Sequence, residues 1–151
     1  MNLLAIDCGT KTGWASLLNG ECRQSGVQSF ELKRGESSGM RFIRFNAWFC
    51  EMLDLVNPKI TVYEMAHLRG GHASEVLQGM VTLIQINCAK KNIQYTSVHS
   101  MSLKKFATGS GKASKDMMLK LAKEKFHPGI IDDNEADALW ILEWAIKEFK
   151  S

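Results

Sequence analysis

The chain has 151 residues, of which 45% are hydrophobic and 23% charged, and its formal net charge is +3 at pH 7. This length and composition suit one core, so we expect a single domain over residues 1–151, and the small basic excess alone identifies no partner. The four cysteines form no CxxC pair, which argues against a structural zinc site and a disulfide framework. We find neither a secretory signal pattern nor a membrane-length apolar run, and we expect a cytoplasmic protein without a membrane partner.

The first part of the chain predicts three strands followed by a helix. The strand segments are short apolar or alternating runs, and Asn19-Gly20 is a strong signal for a hairpin turn. Apolar side chains at helical spacing then predict a helix over 39–56, which Asn57-Pro58 ends. The three predicted strands are 2–8, 12–20 and 22–32.

The second part of the chain alternates strands and helices. A β-branched strand over 59–64 ends in a carboxylate, and the last strand covers 93–98. The order βββαβαβαα predicts an α/β fold with a mixed five-stranded sheet flanked by helices, in which three antiparallel strands precede parallel crossovers. The predicted helices of this part are 73–91, 112–126 and 134–149.

Three acidic residues lie where this arrangement would bring them together. Asp7 ends the first strand, Glu64 ends the fourth strand, and Asp137 lies early in the last helix between Ala136 and Ala138. The two small neighbours would let that helix approach the sheet closely. If the first and fourth strands are adjacent, as crossover rules permit, the three carboxylates meet at one end of the sheet. Such a cluster is costly without a counter-cation, so we predict a divalent metal site.

Four segments, in this order and at these intervals, resemble the RuvC-type Holliday-junction resolvases of the RNase H-like superfamily, particularly the short versions carried by phages. The resemblance covers nearly the whole chain, and the four motifs together are more specific than any one of them. It implies an RNase H-like fold, a homodimer, two Mg²⁺ ions per active site with Mn²⁺ as a substitute, and paired nicks in four-way DNA junctions. The four segments are IDCGTKTGWA, VYEMAHLRGG, LKKFATGSGKASKDMM and DDNEADALW.

The resemblance places the family's catalytic, metal-binding acids on Asp7, Glu64 and Asp137. A fourth acid of the family pattern falls on Asn134, with Asp133 one residue earlier. Helical neighbours at three and four residues share a face, so either side chain could complete the metal site, although both residue types are also good helix caps. We favour Asn134 as a weak ligand or as a residue behind the ligands, and keep Asp133 as the alternative.

Basic residues surround a Gly-rich turn that leads into the 112–126 helix. Ammonium groups and helix-terminal amides suit phosphate, so Lys104, Lys105, Lys112 and Lys115 are candidate DNA contacts, and the resemblance places the family's lysines on Lys104 and Lys115. The alternative is a solvated charged surface. Further candidate DNA contacts are Thr10, Lys11 and Arg69.

The apolar pattern of the predicted 73–91 helix indicates a homodimer. Its apolar residues spread beyond one stripe, so one face can meet the sheet while a second face remains for a symmetric partner. A two-fold dimer also matches a four-way junction that needs two cuts. The alternative is a helix enclosed within the monomer. On the preceding helix, we expect Arg41 and Arg44 on the solvent-exposed face.

These observations predict a metal-dependent, structure-selective endodeoxyribonuclease that makes paired nicks in Holliday junctions or other branched DNA by two-metal phosphodiester hydrolysis. A module that binds branched DNA without cutting would keep the fold and the lysines. An actin-like or sugar-kinase-type ATPase fragment would share the opening DxGxxxxG, but it would need a second nucleotide-binding half, for which this chain has no room.

Overall fold

The computed structural model describes residues 1–65 and 70–149 and contains one five-stranded sheet with helices on both faces. The strands are β1 (Leu3–Asp7), β2 (Lys11–Leu18), β3 (Cys22–Ser29), β4 (Ile60–Glu64) and β5 (Gln94–Val98). The helices are α1 (Ser38–Val56), α2 (Gly71–Lys90), α3 (Ser100–Thr108), α4 (Lys115–Lys125) and α5 (Asp133–Phe149).

The sheet has the order β3-β2-β1-β4-β5 and confirms the predicted mixed topology. The pairs β1–β2 and β2–β3 are antiparallel, whereas β1–β4 and β4–β5 are parallel. The first and fourth strands are therefore adjacent, as expected. Because parallel strands end at the same edge of a sheet, the carboxyl ends of β1 and β4 lie side by side.

The two faces of the central strand β1 belong to two separate cores. Leu3 and Ala5 pack with residues of α3, α4 and α5, whereas Leu4 and Ile6 pack with residues of α1 and α2. Side chains of a strand alternate between its faces, so Asp7 lies on the α5 side. The helix that carries Asp137 thus covers the face to which Asp7 belongs.

Both predicted turns of the first part are confirmed by their backbone geometry. Asn19 and Gly20 have φ values of 55° and 76°, which is the left-handed pair that a tight hairpin requires. Asn57 has a φ of 46°, and its N–H donates to the carbonyl of Leu53 at 2.8 Å, which closes the end of α1.

The region between β5 and α5 differs from the prediction. The helix α3 was not predicted, and α4 begins at Lys115 rather than at residue 112. Gly109, with a φ of 86°, ends α3, and the Ser114 hydroxyl caps α4 by accepting from the Met117 N–H at 3.2 Å. The candidate lysines therefore lie on two helices and the connection between them.

The expectation for Arg41 was wrong. Its residue surface is 6% exposed, and its Nε donates to the carbonyl of Phe30 at 3.0 Å. This contact anchors α1 to the segment after β3 and leaves Arg41 no place on the solvent-exposed face. Arg44 is partly exposed and pairs with Glu36. Among the described helices, none combines the length and apolar character of a membrane span.

Candidate metal centre

Three carboxylates meet at one end of the sheet. Asp7 and Glu64 are the last residues of the neighbouring strands β1 and β4, and Asp137 lies in the second turn of α5. One carboxylate oxygen of each residue lies within 4.8 Å of the corresponding oxygens of the other two. The structure therefore brings together the three acids that the sequence singled out.

The first turn of α5 presents two more candidate ligands. The carboxylate of Asp132 caps this helix, because its Oδ1 accepts from the Asn134 N–H at 2.7 Å. The capping role that the sequence left open for Asp133 and Asn134 thus belongs to Asp132, a residue that the sequence analysis did not single out. Asp133 and Asn134 both line the cavity that contains the acids.

This cavity has a volume of about 240 Å³ and is lined by groups of both charges. The acids and Asn134 line it together with Lys104 from α3 and Lys115 from α4. The Lys115 ammonium lies 3.9 Å from the nearer carboxylate oxygen of Asp133. The remaining lining residues, which the sequence analysis did not identify as part of a site, are Cys8, Ser100, Leu103 and Met118.

The carboxylates are electrostatically unfavourable as they stand. Asp7 is 8% exposed, and burial, followed by the charges of Asp137 and Glu64, raises its pKa well above the usual range. Burial, followed by Glu64 and Asp133, raises the pKa of Asp137 to about 7, although Lys115 and Lys104 act in the opposite direction. Crowded carboxylate oxygens are the donors that hard divalent cations prefer, so this set of residues fits such an ion.

Cys8 contributes a neutral group to the cavity. Burial and then the charges of Asp7 and Glu64 raise the pKa of its thiol far above the usual range. The thiolate is the form of cysteine that binds metals and attacks electrophiles. The raised pKa disfavours a Cys8 thiolate, whereas the three acids offer oxygen atoms as candidate ligands.

The other candidate DNA contacts lie outside the lining of this cavity. Lys105 and Lys112 are exposed on α3 and on the connection to α4. Thr10 is exposed in the turn that follows Asp7, and Lys11 is exposed at the start of β2. The neighbouring Thr12 is buried, and its hydroxyl donates to the carbonyl of Gly9 at 2.7 Å, which holds this turn. Arg69 lies outside the described residues.

The fold is similar to those of solved Holliday-junction resolvases. The structure of Thermus thermophilus RuvC matches with a TM-score of 0.71, 18% identity, and coverage of 93% of this chain and 90% of that chain. The same protein in complex with a Holliday junction substrate matches with a TM-score of 0.73 at the same identity and coverage. The yeast mitochondrial Holliday junction resolvase Ydc2 matches with a TM-score of 0.54, 14% identity, and coverage of 92% and 76%.

Sequence comparison adds no assignment, because no protein-family model matches the chain and no curated protein sequence matches it significantly. The similarity in structure extends over more than nine tenths of the chain and includes the mixed sheet and the helices that surround the acids. The chain therefore has the fold of the RuvC-type resolvases.

Proposed function

We propose that this chain is a metal-dependent, structure-selective endodeoxyribonuclease that makes paired nicks in Holliday junctions or other branched DNA. The observation that carries the proposal is the convergence of Asp7, Glu64 and Asp137 at the end of the sheet. The fold supports DNA as the substrate, because T. thermophilus RuvC is solved with a Holliday junction and Ydc2 is a Holliday junction resolvase.

The oxygen atoms of Asp7, Glu64 and Asp137 hold Mg²⁺ in this proposal, with two ions per site and Mn²⁺ as a substitute. When bound, the ions would polarise the phosphodiester, activate water and stabilise the leaving oxygen. Either Asp133 or Asn134, which line the same cavity, completes the ligand set. Asp7 is buried at the end of β1, whereas Glu64 and Asp137 are partly exposed.

The lysines of the cavity position the DNA backbone. Lys104 and Lys115 line the same cavity as the acids, where an ammonium group can bind a phosphate beside the scissile one. Their charge also offsets part of the repulsion between the carboxylates and the DNA. The exposed residues Lys105, Lys112 and Lys11, together with Thr10 and Arg69, extend this contact along the strands that leave the cavity.

We propose further that the chain is a homodimer through the 73–91 helix. Val76, Met80 and Ile84 of α2 are buried in the core, whereas Ile86 is 45% exposed. A largely apolar groove of about 430 Å³ follows the outer side of α1 and α2, and its lining residues are Phe42, Glu75, Gln78, Gly79, Thr82 and Leu83. A symmetric partner that covers this groove would place two active sites for two matched cuts.

The deciding experiment compares Asp7→Asn with the wild-type chain on a synthetic four-way junction. Loss of a metal ligand should lower the cleavage rate by about 100-fold or more, because metal assistance is worth several kcal/mol. Junction binding in a gel-shift assay should persist, because the lysines remain. Asp54→Asn is the matched control, since it removes an exposed carboxylate from α1 far from the cluster.

The outcomes separate the proposal from its two alternatives. The nuclease requires cleavage in Mg²⁺ or Mn²⁺ that EDTA abolishes, with linear duplex as a poor substrate. A wild-type chain that binds the junction but cuts it in neither metal would be a non-catalytic binding module. ATP hydrolysis without junction cleavage would favour the ATPase alternative. Retention of the wild-type cleavage rate by Asp7→Asn would remove Asp7 from the site.

A further inference from the structure

Gly13 of β2 lies where the first turn of α5 meets the sheet. A Cβ atom built on Gly13 would lie 1.9 Å from the carbonyl oxygen of Asn134 and 2.4 Å from its carbonyl carbon. Both of these atoms belong to the backbone, so no side-chain rotation could make room. Gly13 does not have a positive φ, which means that the backbone conformation does not require glycine here. The glycine is needed for space.

The contact is next to the acidic cluster in both elements. Gly13 is the antiparallel partner of Asp7 in the β1–β2 ladder, so the two Cα atoms face each other across the strands. Asn134 lies three residues before Asp137, and helical residues at this spacing share a face. The depth at which α5 rests on Gly13 therefore bears directly on the separation between the carboxylates of Asp137 and Asp7.

We propose that Gly13 is a positioning residue for the metal site: the absence of its side chain lets α5 lie against β2 closely enough for Asp137 to share a cation with Asp7. Ala136 and Ala138 of α5 are fully buried and permit the same approach from the helix side. This inference rests on the proposed function, because that function assigns the acidic cluster as a metal site. It concerns the geometry of cation binding, which can be measured without cleavage.

Gly13→Ala tests this inference, because the carbonyl of Asn134 would have to move away by about 1 Å or more. Ligand groups must be held within about 0.5 Å of the geometry that binds the ion. The Mg²⁺ concentration at half-saturation, which we call the Mg²⁺ midpoint, should therefore rise by about 10- to 100-fold, as for other residues that support ligands. The midpoint is read from the rise in melting temperature during a Mg²⁺ titration at pH 8. Cleavage at a fixed Mg²⁺ concentration should fall by about 100-fold, while junction binding in EDTA should not change.

Gly26→Ala is the matched control. It is the same substitution in the adjacent strand β3, and the nearest atoms to its added Cβ belong to a side chain, the indole of Trp14 at 3.0 Å, rather than to the backbone of α5. We expect this variant to keep the wild-type Mg²⁺ midpoint even if its melting temperature falls. A second control is Val56→Ala at the other end of the molecule, where the loss of a buried group lowers stability without touching the site.

A second variant covers the case in which Gly13→Ala does not fold. Ala15 lies two residues further along β2, is fully buried and packs in the core beneath α5. Ala15→Val should displace a part of α5 that lies beyond its first turn. The Mg²⁺ midpoint should therefore rise less than in Gly13→Ala. An unchanged midpoint in the folded Gly13→Ala variant, or in Ala15→Val if only that variant folds, would overturn the inference. If Gly13→Ala raised the Mg²⁺ midpoint but the wild-type chain cut no junction, the inference on Gly13 would stand and the proposed nuclease activity would be rejected.

Discussion

Removal of the Asp137 charge should stabilise the metal-free protein at neutral and alkaline pH. The pKa of this carboxyl is about 7 in the folded protein, compared with 3.8 as the ordinary value. The folded state therefore holds its proton over a pH range in which the unfolded state releases it. Since stability falls with pH wherever the folded state binds more protons, the free energy of unfolding should decrease from about pH 4 to pH 7.

The size of this effect follows from the same difference in pKa. The interval between 3.8 and about 7 corresponds to a loss on the order of 4 kcal/mol in the free energy of unfolding between acid and alkaline pH. An asparagine stays neutral at every pH, so Asp137→Asn should lack this loss. The variant should match the wild type near pH 4 and exceed it by a few kcal/mol at pH 8. Asp7 contributes in the same direction, so part of the slope should remain in the variant.

The assay is urea unfolding in EDTA, followed by circular dichroism at intervals from pH 4 to pH 8. Asp54→Asn is again the control, and it should keep the full wild-type slope over this range. Addition of Mg²⁺ at 100 times its Kd should restore about 2.7 kcal/mol to the wild type but much less to Asp137→Asn. A metal-free wild type whose stability stays level or rises between pH 4 and pH 8 would refute the crowding of the carboxylates.

Three further predictions address the DNA, the dimer and the fourth ligand. Lys104→Gln and Lys115→Gln should each lower the slope of log affinity against log salt by about 0.9 if each residue binds one phosphate, as measured by anisotropy on a junction; two unchanged slopes would contradict these contacts. Leu83→Glu on the groove should yield folded monomers in sedimentation, whereas a monomeric wild type at micromolar concentration would contradict the dimer. Asp133→Asn should reduce junction cleavage more than Asn134→Ala, and the reverse order would assign the role to Asn134.

The strands and their order were predictable because the signals are local and strong. Alternation, the Asn19-Gly20 turn and β-branched composition located the strands, and the crossover rules for parallel strands left few ways to arrange them. The positions of Asp7 and Glu64 were predictable for the same reason, because each is the last residue of a strand. Once the strands were adjacent, the position of these two acids followed from the chain order alone.

Other features depend on contacts that a periodic pattern does not show. The helix α3 has nine residues and buries mainly Leu103, which is too short a pattern to identify a helix by spacing. Arg41 is buried because its guanidinium reaches the carbonyl of Phe30, which belongs to a different element. The space required at Gly13 is set by the backbone of Asn134, more than 100 residues away in the sequence. Each of these features depends on tertiary contacts.

The fourth ligand shows how one hydrogen bond changes a prediction from sequence. Asp132, Asp133 and Asn134 are three successive residues that can all cap a helix, and the sequence does not say which one does. Because Asp132 accepts from the Asn134 N–H, the other two side chains lie inside the first turn and both line the cavity.

Charge then separates the two candidates. The carboxylate of Asp133 raises the pKa of both Asp7 and Asp137, so its charge acts on the cluster, whereas the amide of Asn134 is neutral. The two cations of the proposed function would favour the additional negative charge, which makes Asp133 the stronger candidate and Asn134 a weak ligand or a residue that orients one. Asp133→Asn should therefore raise the Mg²⁺ requirement for cleavage, and Asn134→Asp should lower it. If Asn134→Ala raised the requirement while Asp133→Asn left it unchanged, the amide oxygen would be the ligand and the charge argument would be wrong.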